Sequence, residues 1–200
     1  DGTAKLWSVA DGSLRHTLAG HKDWVNLVAF SPDGLMLATA GMDDTARLWS
    51  VADGSLLHTL AGHGGWVERA AFSSDGRILA TASADGTAKL WSVADGCLLH
   101  VLAGHKGCVY HLSFSPDGRM LATASTNGTA KLWSVADGSL LRTLEGGREP
   151  VAHAVFSPDG RTLVTVDRRG MERAWTILED PPAPQPKHSV RRSRVSSPGM

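Results

Sequence analysis

Tryptophan stands at Trp7, Trp49, Trp91, Trp133 and Trp175, and every step between them is 42 residues. The same step carries Gly20-His21, Gly62-His63 and Gly104-His105. It also carries Ser31-Pro32-Asp33-Gly34, Ser73-Ser74-Asp75-Gly76, Ser115-Pro116-Asp117-Gly118 and Ser157-Pro158-Asp159-Gly160. Unbroken repetition at this length means a solenoid, a propeller or an array, because each unit needs its neighbours to bury a core. An ordinary single-core domain is thereby set aside.

Within one period the local signals are strand and turn. Val67 to Phe72 ends at the turn cluster Ser73-Ser74-Asp75-Gly76, and Ile78 to Ala82 ends at Asp85-Gly86. Thr87 to Trp91 ends at Asp95-Gly96, and Leu98 to Leu102 ends at Gly104. No stretch carries a helical apolar period long enough for a helix. Four short strands with tight connections form an antiparallel meander, and such a meander repeated in register is a propeller blade.

Gly-His, then Ser-Pro-Asp-Gly, then Asp-Gly-Thr-Ala-Lys-Leu-Trp-Ser resembles the WD40 repeat, with serine where that family often has aspartate after the tryptophan. The resemblance covers residues 1 to about 177. It implies an all-β, incomplete WD40 β-propeller of about four blades' worth of four-stranded sheets. The expected organisation is a repeat array over 1–178 and a tail over 179–200. A seven-bladed ring would need roughly 290 residues. The chain is therefore expected to be the C-terminal part of a longer WD40 protein with upstream blades missing, and to associate through exposed strand edges.

The resemblance also implies a hydrogen-bonded set in each blade. The sets are His21, Thr39, Asp43 and Trp49; His63, Thr81, Asp85 and Trp91; and His105, Thr123, Asn127 and Trp133. The chemistry is coherent, since a buried indole N–H needs an acceptor, a hydroxyl both accepts and donates, and imidazole passes the chain to a carboxylate. The threonines recur with the period through Thr165, whereas the alternative site two residues later reads Gly41, Ser83, Ser125 and Asp167. In the fifth repeat Gly147 replaces the histidine and Arg169 the aspartate, so that blade is expected to be the least stable. A hydroxyl, an imidazole and a carboxylate also compose a catalytic triad, but an orienting network explains every copy without a nucleophile or oxyanion hole.

Cys97 and Cys108 stand near His100, His105 and His111, yet His100 repeats His16 and His58, and residues three apart on a strand face opposite ways. No metal site is expected, no cofactor, and no catalytic residue. Asn127-Gly128-Thr129 reads as a turn rather than a glycosylation acceptor. Lys5, Arg47, Lys89, Lys131 and Arg173 place one basic residue on each third strand, where a solvated head over an apolar stem is expected. Residues 1–180 hold 16 basic and 20 acidic side chains, which disfavours nucleic acid as a partner. No phosphate-cradling glycine loop is present. No apolar run approaches the ~20 residues of a membrane-spanning helix. With only two cysteines in 200 residues, a reducing compartment is expected, intracellular and most simply cytoplasmic.

The positions that vary within the repeated frame carry the function. In WD40 proteins the equivalents look out on the top face around the channel and commonly contact partners. Here they yield Trp24, Asn26, Met42, Trp66, Glu68, Tyr110 and Arg168. Tryptophan and tyrosine are frequent binding hot spots. The sequence thus points to a scaffold that binds a protein or peptide on the top face, with no catalysis of its own. One alternative makes the array the C-terminal sensor of a larger signalling ATPase or kinase. A second, an enzyme with its site in the channel, lacks paired carboxylates there. From Glu179 the repeat fails and prolines follow, so 181–200 reads as a disordered tail with Ser193 and Ser197 as candidate kinase sites.

Overall fold

The structure, a computed structural model, describes residues 1–177; the tail expected over 179–200, with Ser193 and Ser197, lies outside the described residues. Seventeen strands form five antiparallel sheets, and no helix occurs among the described residues. The first sheet has two strands, β1 (Thr3–Trp7) and β2 (Leu14–Ala19). The second runs β3 (Val25–Phe30), β4 (Met36–Gly41), β5 (Thr45–Ser50) and β6 (Leu56–Ala61). The third runs β7 (Val67–Phe72), β8 (Ile78–Ser83), β9 (Thr87–Ser92) and β10 (Leu98–Ala103). The fourth runs β11 (Val109–Phe114), β12 (Met120–Ser125), β13 (Thr129–Ser134) and β14 (Leu140–Glu145). The last has three strands, β15 (Val151–Phe156), β16 (Thr162–Asp167) and β17 (Glu172–Thr176). The sheets follow one another as blades of an unclosed propeller.

The turn residues do the work their chemistry allows. Ser31 Oγ donates to Asp33 Oδ1 at 2.5 Å, and Asp33 accepts the Leu35 N–H at 3.0 Å. Gly34 then adopts a φ of 71°, a left-handed turn that glycine enters without strain. The same hydroxyl-to-carboxylate bond recurs at Ser73–Asp75, Ser115–Asp117 and Ser157–Asp159.

The cores lie between sheets, as a repeat architecture requires. Ala38, Ala40, Ala46, Leu48 and Leu60 of the second sheet pack on Val67, Ala70, Leu79 and Trp91 of the third. The third and fourth sheets repeat this with Leu90 and Leu102 against Leu121 and Trp133. The fourth and fifth repeat it with Leu132 and Leu144 against Val151, Phe156 and Leu163. A neighbour decides burial more than residue type does. Trp7 is 57% exposed, whereas Trp49, on the equivalent strand and backed by Ala4, Leu6 and Leu18, is 2% exposed.

The same logic overturns the expected solvation of the third-strand basic residues. Arg47, Lys89 and Lys131 are buried, because their strands are covered on both faces. Lys131 Nζ donates to Thr143 Oγ1 at 2.8 Å, and Arg47 Nη2 lies 3.8 Å from Asp43. Lys5, on the first sheet, is exposed.

Each innermost strand carries one irregularity. The ladder register slips between Val25 and Leu27, Val67 and Arg69, Val109 and His111, and Val151 and His153. Asn26, Glu68, Tyr110 and Ala152 are therefore the extra residues of four β-bulges, a device that re-aims a side chain.

Candidate partner-binding face

At one end, the top, of the second to fifth sheets, the loop entering the innermost strand lies beside the turn between the second and third strands. A buried polar network joins them. In the second sheet Trp49 Nε1–H donates to Thr39 Oγ1 at 2.9 Å, and Thr39 Oγ1 lies 2.7 Å from His21 Nε2. His21 Nδ1 lies 2.9 Å from Asp43 Oδ1. One proton arrangement satisfies all members: indole to hydroxyl, hydroxyl to Nε2, and Nδ1–H to carboxylate. Asp43 then accepts the Lys22 N–H at 2.9 Å and the Thr45 hydroxyl at 2.7 Å. The third sheet repeats this with Trp91 to Thr81 at 2.8 Å, Thr81 to His63 at 2.8 Å and His63 to Asp85 at 2.9 Å.

The fourth sheet keeps Trp133 to Thr123 and Thr123 to His105, both 2.8 Å, but His105 Nδ1 stands 3.4 Å from Asn127 Oδ1. In the fifth, Trp175 still donates to Thr165 at 2.9 Å, while Arg169 pairs with Glu149 on the surface at 2.7 Å.

Electrostatics follow from burial. Burial pushes the Asp43 carboxyl up, but the Lys22 N–H, His21 and Thr45 outweigh it and hold the group down at about 2. Asp85 is likewise driven low against its own burial, by the Gly64 N–H, Thr87 and His63. Burial lowers His63 despite Asp85, and lowers His105 to about 4, where no carboxylate opposes it. His63 and His105 are thus neutral members of their networks. Thr39, Thr81 and Thr123 are fully buried and already accept an indole N–H, so none can reach a substrate as a nucleophile. What the networks can do is hold loops.

Those loops carry the variable side chains. Trp24 is 63% exposed and Trp66 50%, so neither indole is used to cover a neighbouring blade. The Met42 N–H donates to the Trp24 carbonyl at 2.8 Å, and the Ala84 N–H to the Trp66 carbonyl at 2.9 Å. Met42 and Glu68 are half-buried, and Asn26 turns inward to donate to the Val67 carbonyl at 3.3 Å. Tyr110 and the exposed Arg168 form a unit in which the guanidinium stacks 4.7 Å from the ring centroid and bonds the phenol. Trp24 and Trp66 make no ring contact with one another.

Two serines at the position two residues past the threonines also take part. Ser83 Oγ donates to the Gly65 carbonyl at 2.8 Å and Ser125 Oγ to the Gly107 carbonyl at 3.0 Å. Each fastens the residue just before Trp66 or Cys108. Their recurrence at the period was the available signal. Asp44 is another, a non-glycine residue at φ 63° where the succeeding repeats have Gly86, Gly128 and Gly170 at 83°, 78° and 81°. Among the described residues no group of three or more His, Cys, Asp or Glu could hold a metal ion, and Cys97 and Cys108 are free thiols. Burial, with Glu68 nearby, pushes the Cys108 thiol up to about 11.

Sheets of four antiparallel strands, packed face to face and braced by a Trp–Thr–His–Asp network, define a WD40 β-propeller array, and such propellers serve as protein-interaction scaffolds. The chain belongs to the family described as the IFT122 first beta-propeller, whose model matches residues 1–177. It is similar to the small ribosomal subunit protein RACK1y of Oryza sativa subsp. japonica, 44% identical over 43 residues, which is 22% of this chain and 13% of that protein. It is also similar to ribosome assembly protein 4 of Saccharomyces cerevisiae, 46% identical over 39 residues, which is 20% of this chain and 8% of that protein. The matched segments therefore span a small part of both relatives. Among the described residues no helix is long and apolar enough to cross a membrane.

Proposed function

We propose that the array over 1–178 captures a protein or peptide partner on its top face, through Trp24, Asn26, Met42, Trp66, Glu68, Tyr110 and Arg168, and does no chemistry itself. The observation that carries this is the pair of half-bare indoles, Trp24 and Trp66, on loops fastened by buried polar networks. Exposed aromatic side chains on a rigid support bind at low entropic cost, because little freedom remains to be lost. The bulges at Asn26, Glu68 and Tyr110 support the same face, since they re-aim side chains at the mouth of the innermost strands. A cytoplasmic setting accords with the two unpaired thiols. Nucleic acid is not the partner in this reading, since the exposed Asp23 adjoins Trp24 and the carboxylate residues Asp44 and Asp85 line the surface beside Trp66.

Substituting Trp24 and Trp66 together by alanine is expected to reduce partner capture at least a hundredfold, about 3 kcal/mol. The far-ultraviolet spectrum and unfolding midpoint should stay as in the parent chain. Capture unchanged by the double substitution would remove the proposal.

A further inference from the structure

We infer that the half of the top face formed by the second and third sheets receives an arginine- or lysine-bearing segment of the partner, with the cation seated between Trp66 and the Asp44 and Asp85 carboxylates. This rests on the top-face reading and specifies the partner's chemistry.

The site is a shallow, open depression of about 490 Å3 between the two sheets, lined by Asp44, Gly64, Gly65, Trp66, Ala84 and Asp85. Gly64 and Gly65 leave the wall open beside the indole, which is half bare. An indole face attracts a cation through its quadrupole, and guanidinium stacks on it readily. The carboxylates supply the counter-charge. Asp85 stays ionised. Its side chain is 16% exposed, and its oxygens already meet the His63 imidazole, the Gly64 and Thr87 N–H groups and the Thr87 hydroxyl. It therefore attracts the cation through space, while Asp44 makes the direct contact. Asp44 makes no side-chain hydrogen bond or ion pair among the described residues, and its charge is felt as far as His63. Asp43, by contrast, already has Arg47 beside it and is not counted.

The rest of the face fixes the position. Around the second and third sheets the top loops hold Asp23, Asp44, Glu68 and Asp85 against Lys22. Around the fourth and fifth they hold Lys106, Arg148, Arg168 and Arg169, with Glu149 tied to Arg169 and the Asp167 carboxylate bound to the Arg169 and Met171 N–H groups. The Cys108 thiol lies between the halves: burial raises it most, Glu68 and Asp85 add to the rise, and Arg168 opposes it. A basic segment is attracted to one half and repelled by the other, which sets both its place and its direction.

The test uses a capped hexa-arginine peptide on the full chain, with a capped hexaglutamate peptide at equal ionic strength as its opposite. Hexa-arginine is expected to shift the Trp66 indole N–H resonance saturably, and hexaglutamate to leave it in place. Asp44→Gly introduces the residue that succeeding repeats carry at this position, so it keeps the fold while removing one carboxylate. Affinity for hexa-arginine should fall at least fivefold in this variant and change less than twofold in Asp137→Asn, at the opposite end of the sheets. Equal affinity in Asp44→Gly and the parent, or an equal loss in Asp137→Asn, overturns the inference. If hexa-arginine fails to bind while the double tryptophan substitution still abolishes capture, the cation chemistry falls and the top-face reading stands.

Discussion

Thr81→Val is expected to lower the unfolding free energy by about 3 kcal/mol. The valine fills the same space, so packing beside Leu79 and Trp91 in the core between the second and third sheets is kept. What it removes is one oxygen that accepts the Trp91 indole N–H and bonds His63 Nε2, both at 2.8 Å. Thr81 is fully buried, so water cannot replace either bond. Each buried group left unpaired costs about 1–3 kcal/mol. Thr81→Ser keeps the hydroxyl and is expected to cost less than about 1.5 kcal/mol, for the lost methyl alone. Urea unfolding of the two variants decides it. A valine variant within 1 kcal/mol of the serine variant would mean that the network orders loops without stabilising the blade.

Acid should weaken the array in two steps, and the first belongs to the fourth sheet. His105 is lowered to about 4 by burial, against an unfolded value of about 6.5. Between those values the unfolded chain binds the proton and the folded chain does not. The contribution is therefore complete above pH 6.5 and is lost as pH falls to about 4, by up to about 3 kcal/mol. His111, lowered to about 4 by burial and by the neighbouring His153 and Arg69, adds to the same step. The second step comes from Asp43, whose carboxyl is held at about 2; its contribution is present above about pH 4 and lost as pH falls to 2. Asn127→Asp tests the first step. A carboxylate opposite His105 should raise that histidine and shorten the 3.4 Å contact towards the 2.9 Å seen at His63 and Asp85. Unfolding measured at pH 7 and pH 4.5 is expected to show a loss smaller by about 1 kcal/mol or more in Asn127→Asp than in the parent. An identical loss in both would place the acid sensitivity elsewhere.

Much of this molecule was legible in its repetition. The 42-residue step, the turn clusters and the strand lengths lead to the blades, because tight turns and short apolar runs are local signals. Burial was less legible. Lys5 and Lys131 occupy the same place in their repeats, yet one is exposed and the other buried, since burial depends on whether another sheet covers the strand. The bulges at Asn26, Glu68 and Tyr110 leave no local mark, because an extra residue is defined only against its partner strand. The pairing of Tyr110 with Arg168 spans 58 residues and two sheets, beyond any local rule. Asp44 was readable, as an aspartate at a glycine position, but its left-handed backbone gives that exception meaning only in the fold.

The partner is proposed to sit on the top face. Amide exchange of the chain with and without its bound partner tests this most directly. Protection is predicted at residues 22–26, 42–44, 64–68, 84–86, 108–110 and 168, with the outer strands β6, β10 and β14 and the Ser-Pro-Asp-Gly turns unchanged. Protection confined to those outer strands or to the turns at the opposite end of the sheets would contradict the account.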